Sequence, residues 1–294
     1  MVTLHPHDLG RPDGTIRYWT GGTTGPTVVL LHGATLDHRA WMPQADALGD
    51  EFRVVVPDLR GHGESTGRFD FEDAVQDVLA LLGRLPAAKV VLVGLSLGGN
   101  IAQEVLHRVP DRVQALVVAD ATCNTVPRSP WATTMTVAAL NAQAMLHGAD
   151  FGRQAAQATA IDPQVRAYAL EANAHRSNQE TVAILSSLLT GALRSEPAYR
   201  LPVPTLLMHG DHDLIGDIAT GTPAWAEREP LAEYAVIPAA GHASNLDNPG
   251  EFTAVLRAFL DQVTPSPELV DAALPAAAHS RVTTSPEQSP RAVA

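Results

Sequence analysis

Cysteine is almost absent from this 294-residue chain. Cys123 stands alone, which excludes an internal disulfide and a thiolate metal cluster. A basic excess is missing too: 20 lysines and arginines face 32 acidic residues, giving a formal charge of -12. Without a basic patch, nucleic acid is not an expected partner. Long apolar runs are also lacking, since Gly, Pro or a charge interrupts each within about eight residues, far short of the ~20 that span a bilayer. No membrane partner is expected. Met1-Val2-Thr3-Leu4-His5-Pro6 has neither a basic start nor an apolar stretch, so no secretory signal is expected and a cytoplasmic location follows. No internal repeat points to a solenoid. What the chain does have is apolar residues, 45% against 18% charged. That is enough for a large core, and one domain carrying an insertion is the expectation.

Short apolar runs, rich in β-branched residues, recur at residues 28–31, 53–56, 90–93, 116–118, 205–208 and 234–237. Such continuous runs suit strands buried on both faces. Helical spacing is clearest at Phe71, Ala74, Val75, Val78, Leu79 and Leu82, with Asp70 placed as N-cap and Gly83 as stop. It returns at Phe252, Val255, Leu256, Phe259, Leu260 and Val263, led in by Asn248, Pro249 and Glu251. Strands alternating with helices predict an α/β fold: a mostly parallel open sheet with helices on both faces and the ligand at the carboxyl ends of the strands. Residues 122–196 contain no strand-like run, only Ala-rich helical text. They are expected to form a helical cap inserted between core segments 1–121 and 197–263. Residues 264–294 are dominated by Pro, Ser, Ala and Thr without an apolar period, so disorder is expected there.

The residues with chemical potential fall at the strand ends. Gly94-Leu95-Ser96-Leu97-Gly98-Gly99 follows the strand at 90–93 and opens a helix, which gives G-x-S-x-G its strand–turn–helix context. So sharp a turn exposes the serine hydroxyl at the sheet edge, beside a helix N-terminus that favours negative charge. Ser96 is therefore the candidate nucleophile. It needs a base, and His242 lies just beyond the last strand, on the same edge. An acid is needed to fix the imidazole tautomer, and Met208-His209-Gly210-Asp211-His212-Asp213 offers Asp211 and Asp213. His209 and His212 with these aspartates have metal-ligand chemistry, but the segment reads as a strand end and turn, so no metal is expected. Cys123 reads as a small buried apolar residue, and His62 as a structural member of its turn.

Together with Leu31-His32-Gly33, the stretch from Pro57 to Ser65, Gly210-Asp211-His212-Asp213 and Gly241-His242, the serine motif makes the chain resemble the α/β-hydrolase superfamily over residues ~15 to 262. The resemblance implies a cofactor-free serine hydrolase acting on a small-molecule ester or lactone. It selects Asp213 over Asp211 as the acid; some members place the acid at the position of Asp120. It also implies an oxyanion hole formed by the backbone amides of Ala34 and Leu97, with His32 bracing that loop. The stretch 241–252 is similar to that of 3-oxoadipate enol-lactonases. The serine at the turn argues against haloalkane dehalogenases and epoxide hydrolases, which use aspartate there. Carbon–carbon hydrolases, lyases and perhydrolases share the same triad, and a non-catalytic binding member is a further alternative. In the cap, Trp131 and Met135 are candidate substrate-binding residues. Arg39, Arg128, Arg153, Arg166 and Arg176 are the candidates to meet an anionic substrate.

Overall fold

The computed structural model describes residues 1–22, 24–126 and 129–264. The tail from 265 onward, where disorder is expected, lies outside the described residues, as does Arg128. Strands β1 (His5–Arg11), β2 (Gly14–Gly21), β3 (Thr27–Leu31), β4 (Arg53–Pro57), β5 (Val90–Leu95), β6 (Val113–Ala119), β7 (Thr205–Gly210) and β8 (Ala232–Ile237) form one sheet in the order β1-β2-β4-β3-β5-β6-β7-β8. From β4 to β8 every pairing is parallel, and β2 runs antiparallel to both β1 and β4.

All six apolar runs are strands. The β1–β2 hairpin was not anticipated, because its text is polar and buries only one residue at a time, Leu9, Ile16 and Trp19. Its turn chemistry, Arg11-Pro12-Asp13-Gly14, was the available signal. β8 departs differently from expectation: it is the edge strand, and Tyr234 and Val236 stand exposed on it.

Helices cover both faces of the sheet. On one side, α1 (Met42–Leu48) and α10 (Pro249–Val263) bury Leu48, Phe252, Leu256 and Phe259 against Val28, Leu30, Val91, Val93 and Met208. On the other, α2 (Phe71–Arg84), α3 (Leu97–Arg108) and α8 (Ile218–Arg228) bury Val78, Leu82, Ile101 and Trp225 against Val29, Leu31, Leu92 and Leu207. Alternate residues of one strand thus feed the two halves of the core, as the two-residue period of a strand requires. Between β6 and β7 lie α4 (Pro130–His147), α5 (Phe151–Thr159), α6 (Pro163–Asn173) and α7 (Asn178–Gly191). The short helix α9 (Ser244–Asp247) precedes α10. No described helix is long and apolar enough to cross a membrane.

The helix ends follow local chemistry. Asp70 caps α2 by accepting from the amides of Glu72 and Asp73, and Asn248 caps α10 through the amide of Glu251. Gly83 does not stop α2, which runs on to Arg84 and ends where Leu85 is extended ahead of Pro86. A residue before proline avoids helical backbone, and here that constraint outranks the glycine.

The loop after β4 is fastened to α2 by charge. Asp77 accepts from Nε and Nη2 of Arg60 at 2.8 Å each and from Nε of Arg11 at 2.7 Å, and the side chains of Arg60 and Asp77 are both only 4% exposed. Removing one partner of such a pair leaves a buried charge uncompensated. Asp77→Ala is therefore expected to cost about 3 kcal/mol of unfolding free energy in urea titration. A loss near zero would show that water replaces the carboxylate.

Candidate active site

Ser96 sits where β5 turns into α3, with φ 51° and ψ -117°. That is a strained conformation for a residue with a side chain. The flanking glycines make the turn possible: a Cβ on Gly94 would run into the carbonyl oxygen of Gly98, and one on Gly98 into that of Leu31. The amide of Ser96 donates to the carbonyl of Ala119 at 2.8 Å, which fixes the turn to the neighbouring strand β6.

His242 enters from the loop between β8 and α9. Its Nε2 lies 2.8 Å from Oγ of Ser96, and its Nδ1 lies 3.0 Å from Oδ2 of Asp213. The other oxygen of Asp213 accepts from the amide of Ile215 at 2.9 Å, so this carboxylate is held at both ends. Burial disfavours the imidazolium, but the hydrogen bond and charge of Asp213, with a contribution from Asp120, outweigh it and raise the His242 pKa above 6.5. Asp211 faces elsewhere. It accepts from the Ala240 amide at 3.0 Å and pairs with Nδ1 of His212 at 2.6 Å. Against a burial cost, these bonds hold its carboxyl down at about 2. Asp120 is near the histidine loop but does not touch the imidazole; its Oδ2 meets the hydroxyl of Ser244.

Residues outside the triad hold the histidine loop in place. Asp247 accepts from the amide of Gly241 at 2.7 Å and from those of Ile161 and Asp162 at 3.0 and 2.9 Å, fastening the loop to the start of α6. Ala243 donates to the carbonyl of Thr159 at 2.7 Å. Asn245, fully buried, donates to the carbonyl of Ala40 at 2.7 Å. The sequence signal for these was a polar run, Ser244 to Asn248, longer than a helix lead-in requires. His32 is neutral in its burial: its Nδ1 bonds the carbonyl of Gly33, and its Nε2 accepts from the amide of Leu59 at 2.9 Å. It thus joins the loops after β3 and β4. His62 is buried in its turn with Nδ1 on the carbonyl of Arg60, and Cys123 is buried.

A cavity of about 480 Å³ opens over Ser96 and His242. Ala34, Leu36, Leu140, Phe151, Leu185, Leu188 and Ile215 give it an apolar wall, broken by Thr136, Gln143 and Gln154; among the described residues no aspartate, glutamate, lysine or arginine lines it. Trp131 and Met135 do not line it. They are 73% and 49% exposed, because α4 turns the face with Thr136, Leu140 and Gln143 inward, and these two residues fall off that stripe. The described arginine candidates are also outside it. Arg39 pairs with Asp37 and Glu171, Arg153 with Asp150, while Arg166 donates to the carbonyl of Ala160 and Arg176 to that of Gly61.

The amides of Ala34 and Leu97 have no protein acceptor among the described residues. Ala34 borders the cavity, and Leu97 opens α3, where the first N–H groups lack intrahelical partners. A hydroxyl, an imidazole and a carboxylate in hydrogen-bonded sequence, with two unused amides close by, can move a proton off the hydroxyl and accommodate negative charge on an adjacent oxygen.

Comparison with known proteins agrees with the architecture. Residues 26–249 match the family profile described as alpha/beta hydrolase fold. A pimeloyl-(acyl-carrier protein) methyl ester esterase of Chromobacterium violaceum is 33% identical over 248 residues, covering 81% of this chain and 95% of that protein. Among solved structures, a thermophilic esterase from Thermogutta terrifontis superposes with a TM-score of 0.74 at 28% identity, covering 89% of this chain and 99% of that one. The enol-lactonase from Burkholderia xenovorans LB400 superposes with a TM-score of 0.67 at 26% identity, covering 84% and 96%.

Proposed function

The chain belongs to the alpha/beta hydrolase fold family, and from that premise we propose that it is a serine hydrolase that cleaves small carboxylic esters or lactones through an acyl-enzyme. The observation that carries this reading is the unbroken sequence Ser96 Oγ, His242 Nε2, His242 Nδ1, Asp213 Oδ2, with spacings of 2.8 and 3.0 Å. The relatives named as esterases support the bond type.

In this reading Ser96 attacks the ester carbonyl while Nε2 of His242 takes its proton. Asp213 accepts the Nδ1 hydrogen and stabilises the imidazolium that forms. The carbonyl oxygen, now an anion, is met by the amides of Ala34 and Leu97. His242 returns the proton to the departing alkoxide, leaving the acyl group on Ser96. It then takes a proton from water, whose oxygen attacks the acyl carbon, and the acid departs as Ser96 is re-protonated. Helices α4 to α7 act as the cap that closes the acyl pocket.

The wall of that pocket sets the substrate class. An enol-lactone bearing carboxylate would need a cation, and among the described residues none lines the cavity. The reading is therefore a neutral, mostly apolar acyl group. Each methylene buried contributes roughly 0.8 kcal/mol until the space is full.

An activated phosphonate is expected to label Ser96 alone on the folded protein; a stoichiometric adduct elsewhere, or none, would remove the serine-hydrolase reading.

Asp213→Asn is expected to lower kcat by about three to four orders of magnitude without unfolding the chain, and Asp211→Asn to have a mild effect. The reverse ranking would assign the acid to Asp211. Because the base must be unprotonated and Asp213 raises its pKa, kcat/KM should climb with pH through one ionisation above the ordinary ~6.5 of histidine. A flat profile would count against His242.

Across p-nitrophenyl esters, kcat/KM should rise over the first few acyl carbons and then fall, and a neutral lactone should be preferred to a carboxylate-bearing one. Strong preference for the anion would contradict the apolar pocket.

A further inference from the structure

At the carboxyl end of β6 stands Asp120, fully buried and unused by the chemistry above. Its backbone is held at φ 49°, in the left-handed region that costs energy for a residue other than glycine. Two segments of the site meet on it, and a third bonds its neighbour Ala119. Its amide donates to the carbonyl of Met208 at 2.9 Å, and its Oδ1 accepts from the amide of Gly210 at 2.8 Å; both partners lie on β7, the strand that leads to Asp213. Its Oδ2 is bonded to the hydroxyl of Ser244, two residues past His242. One residue earlier, the carbonyl of Ala119 receives the amide of Ser96.

We propose that Asp120 is a positioning residue: its carboxyl ties the His242 loop to the end of β7 and so keeps the imidazole in line between Asp213 and Ser96. The proposal rests on the triad reading of the previous subsection. Its geometry is specific, since the two oxygens of one carboxyl serve the two loops that supply the acid and the base. A tether acting through Ser244 changes the alignment of Nε2 and leaves the acyl cavity alone, because neither Asp120 nor Ser244 borders it.

The charge state of the tether follows from its surroundings. The charged groups that face it are Asp213 and His242, with the Ser244 hydroxyl and the Gly210 amide as its hydrogen-bond partners. Burial, reinforced by the Asp213 carboxylate, pushes its carboxyl up to about 8, while His242 and the two hydrogen bonds pull the other way. The carboxyl accepts at both oxygens, from the Gly210 amide at Oδ1 and from the Ser244 hydroxyl at Oδ2. Asparagine keeps a carbonyl for Gly210 and turns an N–H toward the Ser244 oxygen, which accepts as well as donates, and alanine presents neither.

The test compares hydrolysis of p-nitrophenyl butyrate by the full-length chain and its variants from about pH 6 to about pH 10, with circular dichroism to verify folding. Asp120→Ala should lower kcat at least about tenfold with KM within about twofold, since misalignment costs the chemical step and not acyl binding. Asp120→Asn should restore kcat at neutral pH to within about threefold of the parent chain. Ser244→Ala, which removes the tether's other end, should lower kcat several-fold with KM unchanged, and it carries the test if Asp120→Ala fails to fold. Full kcat in Asp120→Ala or in Ser244→Ala would overturn the proposal. So would an Asp120→Asn variant as impaired as Asp120→Ala, because a charged carboxylate would then be what matters. Ser96→Ala, run alongside, separates the two levels. If it is inactive, an unaffected Ser244→Ala refutes only the tether; if it is active, the triad reading falls and the tether with it.

Discussion

The backbone of Ser96 is held at a positive φ between two strands and a helix, and the rest of the site is arranged around that conformation. It survives because its surroundings over-determine it: Gly94 and Gly98 leave room for the carbonyls of Gly98 and Leu31, and Ala119 takes the Ser96 amide. The result is a hydroxyl exposed at the sheet edge and a fresh helix N-terminus directly behind it. Every other group at the site has to reach that fixed point. Asp213 comes from β7 and His242 from beyond β8, so the parallel sheet sets their spacing. The side-chain bonds of Asp120 to Ser244, of Asp247 to Gly241 and of Asn245 to Ala40 fasten the histidine loop.

The same geometry explains how the site and the cap depend on each other. Asp247 contacts the histidine loop through Gly241 and the start of α6 through Ile161 and Asp162, and Ala243 reaches Thr159. Tyr168 joins α6 to the loop after β3 through Asp37, and Glu171 does so through Arg39. Helix α6 is thus bolted to the sheet edge, whereas α4 packs mainly on α7 and leaves Trp131, Met145 and Leu146 exposed. Thr136, Leu140 and Gln143 of the cavity wall therefore sit on α4, a helix these bonds do not fasten.

How far the sequence discloses this depends on the kind of interaction. Strands β3 to β7 are legible because a strand buried on both faces must be apolar throughout, and the elbow is legible because its glycines answer a steric demand that no other residue meets. β1 and β2 bury few side chains, Leu9, Ile16 and Trp19, with no regular period, and are anchored by pairing, so their text looks like loop. The face that α4 turns to the cavity depends on packing against α7, which no local pattern encodes; Trp131 and Met135 were chosen for bulk and lie outside the wall. The end of α2 was assigned to Gly83, although the pre-proline restriction at Leu85 decides it. The chain order of Ser96, Asp213 and His242 is visible from text alone, but the division of labour between Asp211 and Asp213 came from family resemblance. In the structure it is the loop that points one carboxylate at Nδ1 of His242 and the other at the amide of Ala240.

The most direct measurement of the central claim is rapid-quench mass spectrometry during turnover of p-nitrophenyl butyrate. The account predicts a pre-steady-state release of p-nitrophenol close to one equivalent per active chain, together with a butyryl adduct on the peptide that contains Ser96. In a His242→Ala variant acylated with an activated ester the adduct should persist longer, since deacylation needs the same base. Steady hydrolysis that depends on Ser96, with neither burst nor adduct even when deacylation is slowed, would contradict it and point to direct attack by water.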